Sequence, residues 1–375
     1  MKKRIFFISR QPETDHLGAY IFFNSKDYEN YIFARDEDLQ LECNNLKALF
    51  EKGYAKKIKR LDFQNYSFYY YPLIFFLKIA TPFMRKILRK NFYLFNSYIF
   101  KFLDKILSKK FLNKFKNVDI FLDHNNSTRI KDVLLERLTI GENKIVALPH
   151  SYHYAKNRKK WMKAFSSYEK CWANEIYTYG NLHLNQFESY LPKYITKKTL
   201  FPYKFQKEWF FLKLDYFRKF RSHKVKELNK LNFNKEDVVV YLDSPFIQKE
   251  YSGKRKELLN SLKKKYFVIH VPHSRNFRPS IKNNCFMWRE DICELIYRYD
   301  KFIGIFTTLS IDLSQFKKLY ITCSYLREPD FECYDEIIGA TKVANNQEEV
   351  FKLLKSQPNT NAQEKFLKKI NLKFL

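Results

Sequence analysis

Residues 238–275 read VVVYLDSPFIQKEYSGKRKELLNSLKKKYFVIHVPHSR. Val238–Leu242 is an unbroken apolar run, the pattern of a strand buried on both faces. It stops at Asp243-Ser244-Pro245, which is turn chemistry. Residues 253–264 then carry the composition of a basic helix, and 266–270 (YFVIH) form a second apolar run. That run ends in Val271-Pro272-His273-Ser274-Arg275. Strand, helix and strand in this order imply two parallel strands joined by a crossover helix. Ligands of such sheets sit beyond the carboxyl ends of the strands. This stretch leaves Asp243, His270, His273 and Arg275 there.

The alternation continues in both directions. Downstream, 289–298 read as a helix, 302–306 (FIGIF) as a strand ending in Thr307-Thr308, and Leu319–Cys323 as a further strand. The tail, 346–371, has helical patterning. Upstream, 4–9 (RIFFIS) form a first strand, followed by a polar loop over 10–16. Residues 39–52 have helical spacing, stopped by Gly53, and 57–63 read as the next strand. Two buried-type strands follow at 118–122 and Lys144–Leu148, with a helix between them over about 127–138. The expected architecture is α/β: two Rossmann-like domains, each with a parallel sheet, facing a cleft. The boundaries are 1–205 for the first domain, 206–234 for a charged helical linker, 235–345 for the second domain and 346–375 for a helical tail.

The chain's 375 residues suffice for two domains with separate cores. The hydrophobic share of 45%, with 18% aromatic, excludes a disordered chain, which could not bury enough apolar surface. Lys and Arg outnumber Asp and Glu by 69 to 40, a formal net charge of +29, which favours polyanionic or phosphorylated partners. The abundance of Lys, Asn, Ile, Phe and Tyr also fits an AT-rich genome, so part of that charge is compositional. The six cysteines are scattered without zinc-ligand spacing and suit buried thiols of a reducing compartment. The N-terminus lacks the sustained apolar core of a secretory signal, and no stretch of about 20 residues is uninterruptedly apolar. The expected location is the cytoplasm.

An insertion over 64–116 is rich in aromatics and lysines. It reads either as a basic amphipathic element at a membrane surface or as a helical pair on the sheet with lysine stems along its rim. The Asp36-Glu37-Asp38 pattern reads as a solvated turn, and no metal site is expected. P-loop, GxGxxG and HExxH patterns do not occur, which argues against the common nucleoside triphosphatases, dehydrogenases and zincins. With seven glycines, a Gly-rich phosphate cradle is excluded, so side chains and helix ends must hold any phosphate.

Three strand-end groups can carry chemistry. Pro149-His150, with His153 nearby, puts an imidazole where a general base would face an acceptor hydroxyl. A structural histidine bonded to a loop carbonyl is the alternative. Arg10, His124 and the acid Asp123 fall at neighbouring strand ends. In the second half, His270, His273 and Arg275 leave one strand end, and a guanidinium fork suits phosphate oxygens. Thr307, Thr308 and Ser310 leave the next and open a helix, offering hydroxyls and backbone N–H groups to an anion. An ordinary helix cap would use the same residues.

These motifs resemble the GT-B-fold transferases of bacterial surface-polysaccharide assembly, such as CMP-sugar sialyl- and Kdo-transferases and the CDP-glycerol/ribitol phosphotransferases. Leu148-Pro149-His150-Ser151 is similar to their first-domain Pro-His-Gly loop, with Ser in place of Gly. His270-Val271-Pro272-His273 is related to their His-Pro loop, with one residue inserted before Pro272. Thr307-Thr308-Leu309-Ser310-Ile311-Asp312 looks like their Ser/Thr turn followed by Asp. Residues 177–180 and 201–209 look like the ending of their first domain.

The resemblance implies a metal-independent glycosyltransferase without a resident cofactor. It would use a nucleotide-sugar donor, CMP- or CDP-linked, in capsule or lipopolysaccharide synthesis. His273, Arg275, Thr307, Thr308 and Ser310 would hold the donor phosphate, with His270 as the alternative to His273. His150, Asp123 or Asp243 would activate the acceptor, and Arg10, His124 and His153 would lie on the acceptor side. A lipid-linked saccharide acceptor would bring the enzyme to the anionic inner membrane as a peripheral protein. Two other readings remain: a non-catalytic subunit of the same fold, and a nucleic-acid-binding protein. The second is disfavoured, because basic residues spread over every helix instead of clustering on one face.

Overall fold

The computed structural model describes residues 2–8, 13–34, 43–58, 117–123, 143–149, 173–179, 196–244, 251–272, 284–288, 290–305, 307–327 and 333–374. The chain divides into two compact units. The first carries one sheet, and the second runs from Thr199 through the C-terminal helices.

In the first unit the strands are β1 (Lys2–Ile8), β2 (Tyr28–Ala34), β3 (Lys56–Ile58), β4 (Asp119–Asp123), β5 (Lys144–Leu148), β6 (Glu175–Thr178) and β7 (Thr196–Thr199). Their order is β3-β2-β1-β4-β5-β6-β7, and the pairings from β3 to β6 are parallel. The first six follow the Rossmann order, in which the connection reverses beside the first strand. That switch point lies between β1 and β4. Helices α1 (Glu13–Phe23) and α2 (Asn44–Glu51) belong to this unit. Phe6 stacks on Phe121 at 4.8 Å and Tyr20 of α1 lies 4.9 Å from the same ring, so α1 closes over β1 and β4.

Residues 10–16, read from sequence as a loop, are in part α1, which begins at Glu13. Glu13, Thr14 and His16 are polar but buried, so the helix lacks an apolar-facing signature there. Glu13 and Asp15 in its first turn suit the positive end of the helix dipole. The helix read over 39–52 is described as α2, and its N-terminal part lies outside the described residues, as do Asp36–Asp38 and the insertion 64–116.

The second unit repeats the plan. Its strands are β8 (Val238–Leu242), β9 (Phe267–Val271), β10 (Cys285–Met287), β11 (Lys301–Gly304), β12 (Leu319–Cys323) and β13 (Lys342–Ala344). The order β10-β9-β8-β11-β12-β13 is parallel throughout, with its switch point between β8 and β11. The helices are α3 (Lys207–Phe220), α4 (Ser222–Asn229), α5 (Ser252–Lys265), α6 (Cys293–Arg298), α7 (Ser310–Gln315), α8 (Tyr334–Ile337), α9 (Gln347–Leu353) and α10 (Thr360–Lys369).

Alternation along each strand gives the sheet two apolar faces. Val238, Val240, Leu242, Ile269 and Phe302 face α3, α4 and α6. Val239, Tyr241, Val268, Ile303 and Ile321 face α5 and α9. The charged stretch 206–234 forms α3 and α4, whose Phe210, Leu214, Phe217 and Leu228 lie in the first of these layers. The segment therefore packs into the second unit's core. Glu294 of α6, fully buried, accepts from Arg218 of α3 at 2.8 Å and also pairs with Arg298. The tail is helical, as two helices, α9 and α10, with Pro358 between them. Proline has no N–H to give a helix interior.

Candidate active site

Two strand ends flank the switch point of the second sheet. After β8 comes Asp243, whose N–H donates to Val271 O at 2.9 Å and so ties the ends of β8 and β9 together. Its carboxylate is almost fully covered. Arg255, in the first turn of α5, donates through Nη1 to Asp243 Oδ1 at 2.9 Å and to Oδ2 at 3.1 Å. His270, the next-to-last residue of β9, places Nε2 3.4 Å from Oδ2. Tyr241, Asp243 and His270 share the α5 face, because Tyr241 and His270 are register partners and Asp243 lies two residues beyond Tyr241. Burial pushes the Asp243 carboxyl up in pKa. The bond to His270 and the Arg255 guanidinium outweigh this and hold it below the usual carboxylate range.

After β11 come Thr307, Thr308 and Ser310. The Thr307 hydroxyl accepts from Leu309 N–H at 3.2 Å, and Ser310 N–H donates to Thr307 O at 3.3 Å, so the turn uses two of its own donors. The Ser310 hydroxyl lies close to Asp335 at the start of α8, and Thr341 Oγ1 donates to Asp335 Oδ2 at 2.6 Å. Burial, helped by neighbouring Glu336, raises the Asp335 carboxyl to about 6 against the Thr341 bond, its own backbone N–H and the Ser310 hydroxyl. Glu336 itself is clamped by Arg327 through two bonds of 2.7 and 2.6 Å, and Arg327 also donates to Ile305 O at the end of β11. Of the turn's three hydroxyls, Ser310 is thus engaged with the fold. Thr308 keeps its side chain outside these bonds.

The first unit repeats one theme. Asp123 ends β4 at the switch point, and His16 of α1 puts Nε2 3.2 Å from its Oδ2. Both side chains are buried to about the last hundredth of their surface, at 1% and 0% exposure. In each unit, then, a strand-end aspartate faces an imidazole.

Asp123, Asp243, His270, Thr307, Thr308 and Ser310 sit at carboxyl ends of parallel strands or in the turns that follow. Both turns of the second unit lie at the same edge of its sheet, with β8 between β9 and β11. Arg10, His124, His150, His153, His273 and Arg275 lie outside the described residues. His16, Arg255 and Asp335 were not singled out from sequence. Arg255 carried a signal: it is the single arginine of a helix otherwise rich in lysine, and Arg is the residue suited to buried carboxylate pairing. Among the described residues, no cluster of three or more His, Cys, Asp or Glu could hold a metal ion. No described helix is long and apolar enough to cross a membrane.

Two Rossmann-type parallel sheets, one in each unit, define the class: the GT-B fold. Among solved structures the chain is similar to the wall teichoic acid polymerase TagF, with a TM-score of 0.50 and 12% identity over 99% of this chain and 83% of that one. It is similar to a UDP-GlcNAc 2-epimerase of Neisseria meningitidis bound to UDP-GlcNAc, with a TM-score of 0.51 and 9% identity over 98% and 99% of the two chains. A putative UDP-N-acetylglucosamine 2-epimerase of Listeria monocytogenes gives 0.53 and 10% over 99% and 91%. No family model matches the sequence. No curated protein matches it. At these identities the likeness concerns the fold.

Proposed function

We propose that the protein is a glycosyl- or polyol-phosphate transferase. It takes its group from a cytidine-nucleotide donor and passes it to a lipid-linked saccharide in surface-glycan synthesis. The observation that carries this reading is the carboxyl edge of the second sheet. There the strand ends on either side of the switch point offer Arg255 and His270 on one side and the Thr307–Ser310 turn on the other. In this reading the donor phosphates lie against that edge, with Thr308, His270 or His273, and Arg275 as their donors. Cationic side chains offset the charge that grows on the leaving phosphate, in the role a metal ion fills elsewhere.

The acceptor hydroxyl needs a base. Asp123 and Asp243 are each held by an imidazole, and Asp243 also by Arg255. Asp243, held below the usual carboxylate range, is a weak base, which supports giving the task to His150. The resemblance of the fold to TagF, a polymerase of wall teichoic acid, supports the polyol-phosphate branch of the reading. The basic aromatic segment 64–116 suits an enzyme working at an anionic membrane surface, where a lipid-linked acceptor resides.

Calorimetry with CMP and CDP tests the donor site. A charge-assisted phosphate contact contributes about 1.5–3 kcal/mol, so Arg275→Ala and Thr308→Ala should each weaken binding by roughly ten- to a hundredfold. Unchanged affinity in both variants refutes the site.

A further inference from the structure

We propose that Asp243 is a positioning residue that makes donor binding proton-linked: it holds Arg255 and His270 on one carboxylate, so that His270 takes up a proton when a phosphate oxygen meets its Nδ1. The inference rests on the donor-phosphate reading above.

The nearest acceptor sets the tautomer. Asp243 accepts from Arg255 Nη1 through both oxygens, at 2.9 and 3.1 Å, and faces His270 Nε2 at 3.4 Å. An ionised carboxylate only accepts, so the imidazole proton belongs on Nε2. In the neutral ring this leaves Nδ1 as a bare acceptor. A phosphate oxygen also only accepts, so the two repel unless Nδ1 gains a proton. Both ring nitrogens of His270 are buried and neither makes a hydrogen bond of full geometry among the described residues, Nε2 having Asp243 as its near neighbour and Nδ1 having none; Arg255 Nε is likewise without a partner. A buried polar atom left without a partner is uncommon in folded proteins and calls for one.

The charge count points the same way. From β8, His270 is faced by Asp243 and by the Tyr241 ring at 5.6 Å. From β10 the Cys285 thiol reaches the His270 backbone, and from α5 comes Arg255. Burial raises the Tyr241 hydroxyl and the Cys285 thiol, which keeps both neutral. Asp243 and Arg255 cancel each other. A neutral His270 therefore leaves the cluster uncharged, and an imidazolium leaves it one positive charge for an anion to balance. The coupling is reciprocal: the proton favours the anion as much as the anion favours the proton.

The test is titration calorimetry of the full chain with CDP-glycerol. Its two phosphoryl groups are both diesters or anhydrides with one charge each, so the ligand does not titrate between about pH 5.5 and 8, where imidazoles ordinarily change charge. Wild-type affinity should fall as pH rises, by up to about tenfold per pH unit, and the heat should vary with buffer ionisation as for uptake of a proton. Asp243→Asn should bind with a flat pH profile and no uptake. Should that variant fail to fold, wild-type protein labelled with nitrogen-15 at its eight histidines serves instead. The resonance missing in His270→Gln should show both ring nitrogens protonated once CDP-glycerol is added. Binding without proton uptake, uptake unchanged in Asp243→Asn, or a neutral His270 ring in the complex overturns the proposal and leaves the donor reading standing. No binding of CDP-glycerol at any pH overturns both.

Discussion

Asp335 shows how one residue can tie a strand-end turn to the fold. It is buried at the start of α8, accepts a hydroxyl bond from Thr341, lies close to the Ser310 hydroxyl, and sits beside the Glu336–Arg327 pair. Burial raises its carboxyl from 3.8 to about 6. A carboxyl raised on folding contributes stability that is full below its unfolded pKa and is lost as pH climbs through the folded value. The affected window is therefore pH 3.8 to about 6. Above that window the charge costs roughly 3 kcal/mol, at about 1.4 per pKa unit. Asp335→Asn cannot ionise. Urea unfolding should show the wild type losing stability relative to this variant as pH rises from 4 to 7. Parallel curves across that range would mean that the carboxyl does not titrate there. The site was legible where residues end apolar strands, as with Asp243, His270 and Asp123. It was not legible where a partner arrives from another element: Arg255 reaches Asp243 from α5, His16 reaches Asp123 from α1, and Asp335 meets Ser310 from α8. Pairings of this kind leave no period in the sequence.

At the scale of elements, β8, β11 and β12 leave no room for a side chain at Gly304. A Cβ there would stand 2.8 Å from Tyr320 Oη and 3.2 Å from Leu242 O, so a side chain at residue 304 would crowd both. Gly304→Ala should cost about 1–3 kcal/mol, as overpacking does. The nearest atom is a hydroxyl, and it is buried without a hydrogen bond among the described residues. Tyr320→Phe should therefore restore most of the loss in the double variant, while a strictly additive pair in chemical denaturation would place the strain at the Leu242 carbonyl. The strands that sequence made legible are β1, β4, β5, β8, β9, β11 and β12, with their apolar runs, and in part β3, where a strand was read over 57–63. Strands such as β2 (YENYIFA), β6 (EIYT) and β7 (TKKT) lack that pattern. Pairing recruits them instead. Glu175 of β6 bonds Lys144 of β5 at 2.9 Å and Lys198 of β7 at 2.7 Å, cross-strand charge pairs that no local window reveals. Likewise α3 looked like a charged linker because its lysines stand among the aromatics that it buries.

For the whole molecule, the proposed reading needs a donor, and the fold alone does not choose among donors. Structures similar to this chain include a wall teichoic acid polymerase and an epimerase bound to UDP-GlcNAc. A net charge of +29 attracts any nucleotide through long-range forces, so weak binding at low salt carries no information. Thermal shift at about 0.15 M salt, where the Debye length is about 8 Å, removes most of that attraction and leaves the contacts of a formed site. A ligand that binds only the native state at 100 times its Kd adds about 2.7 kcal/mol, enough to raise the melting midpoint by several degrees. CDP-glycerol and CMP-linked sugars should give such a shift, and UDP-GlcNAc at the same concentration should not. His270→Gln should remove the shift while leaving the ligand-free midpoint within a few degrees. An equal response to UDP-GlcNAc would turn the assignment from cytidine donors toward the chemistry of the epimerases.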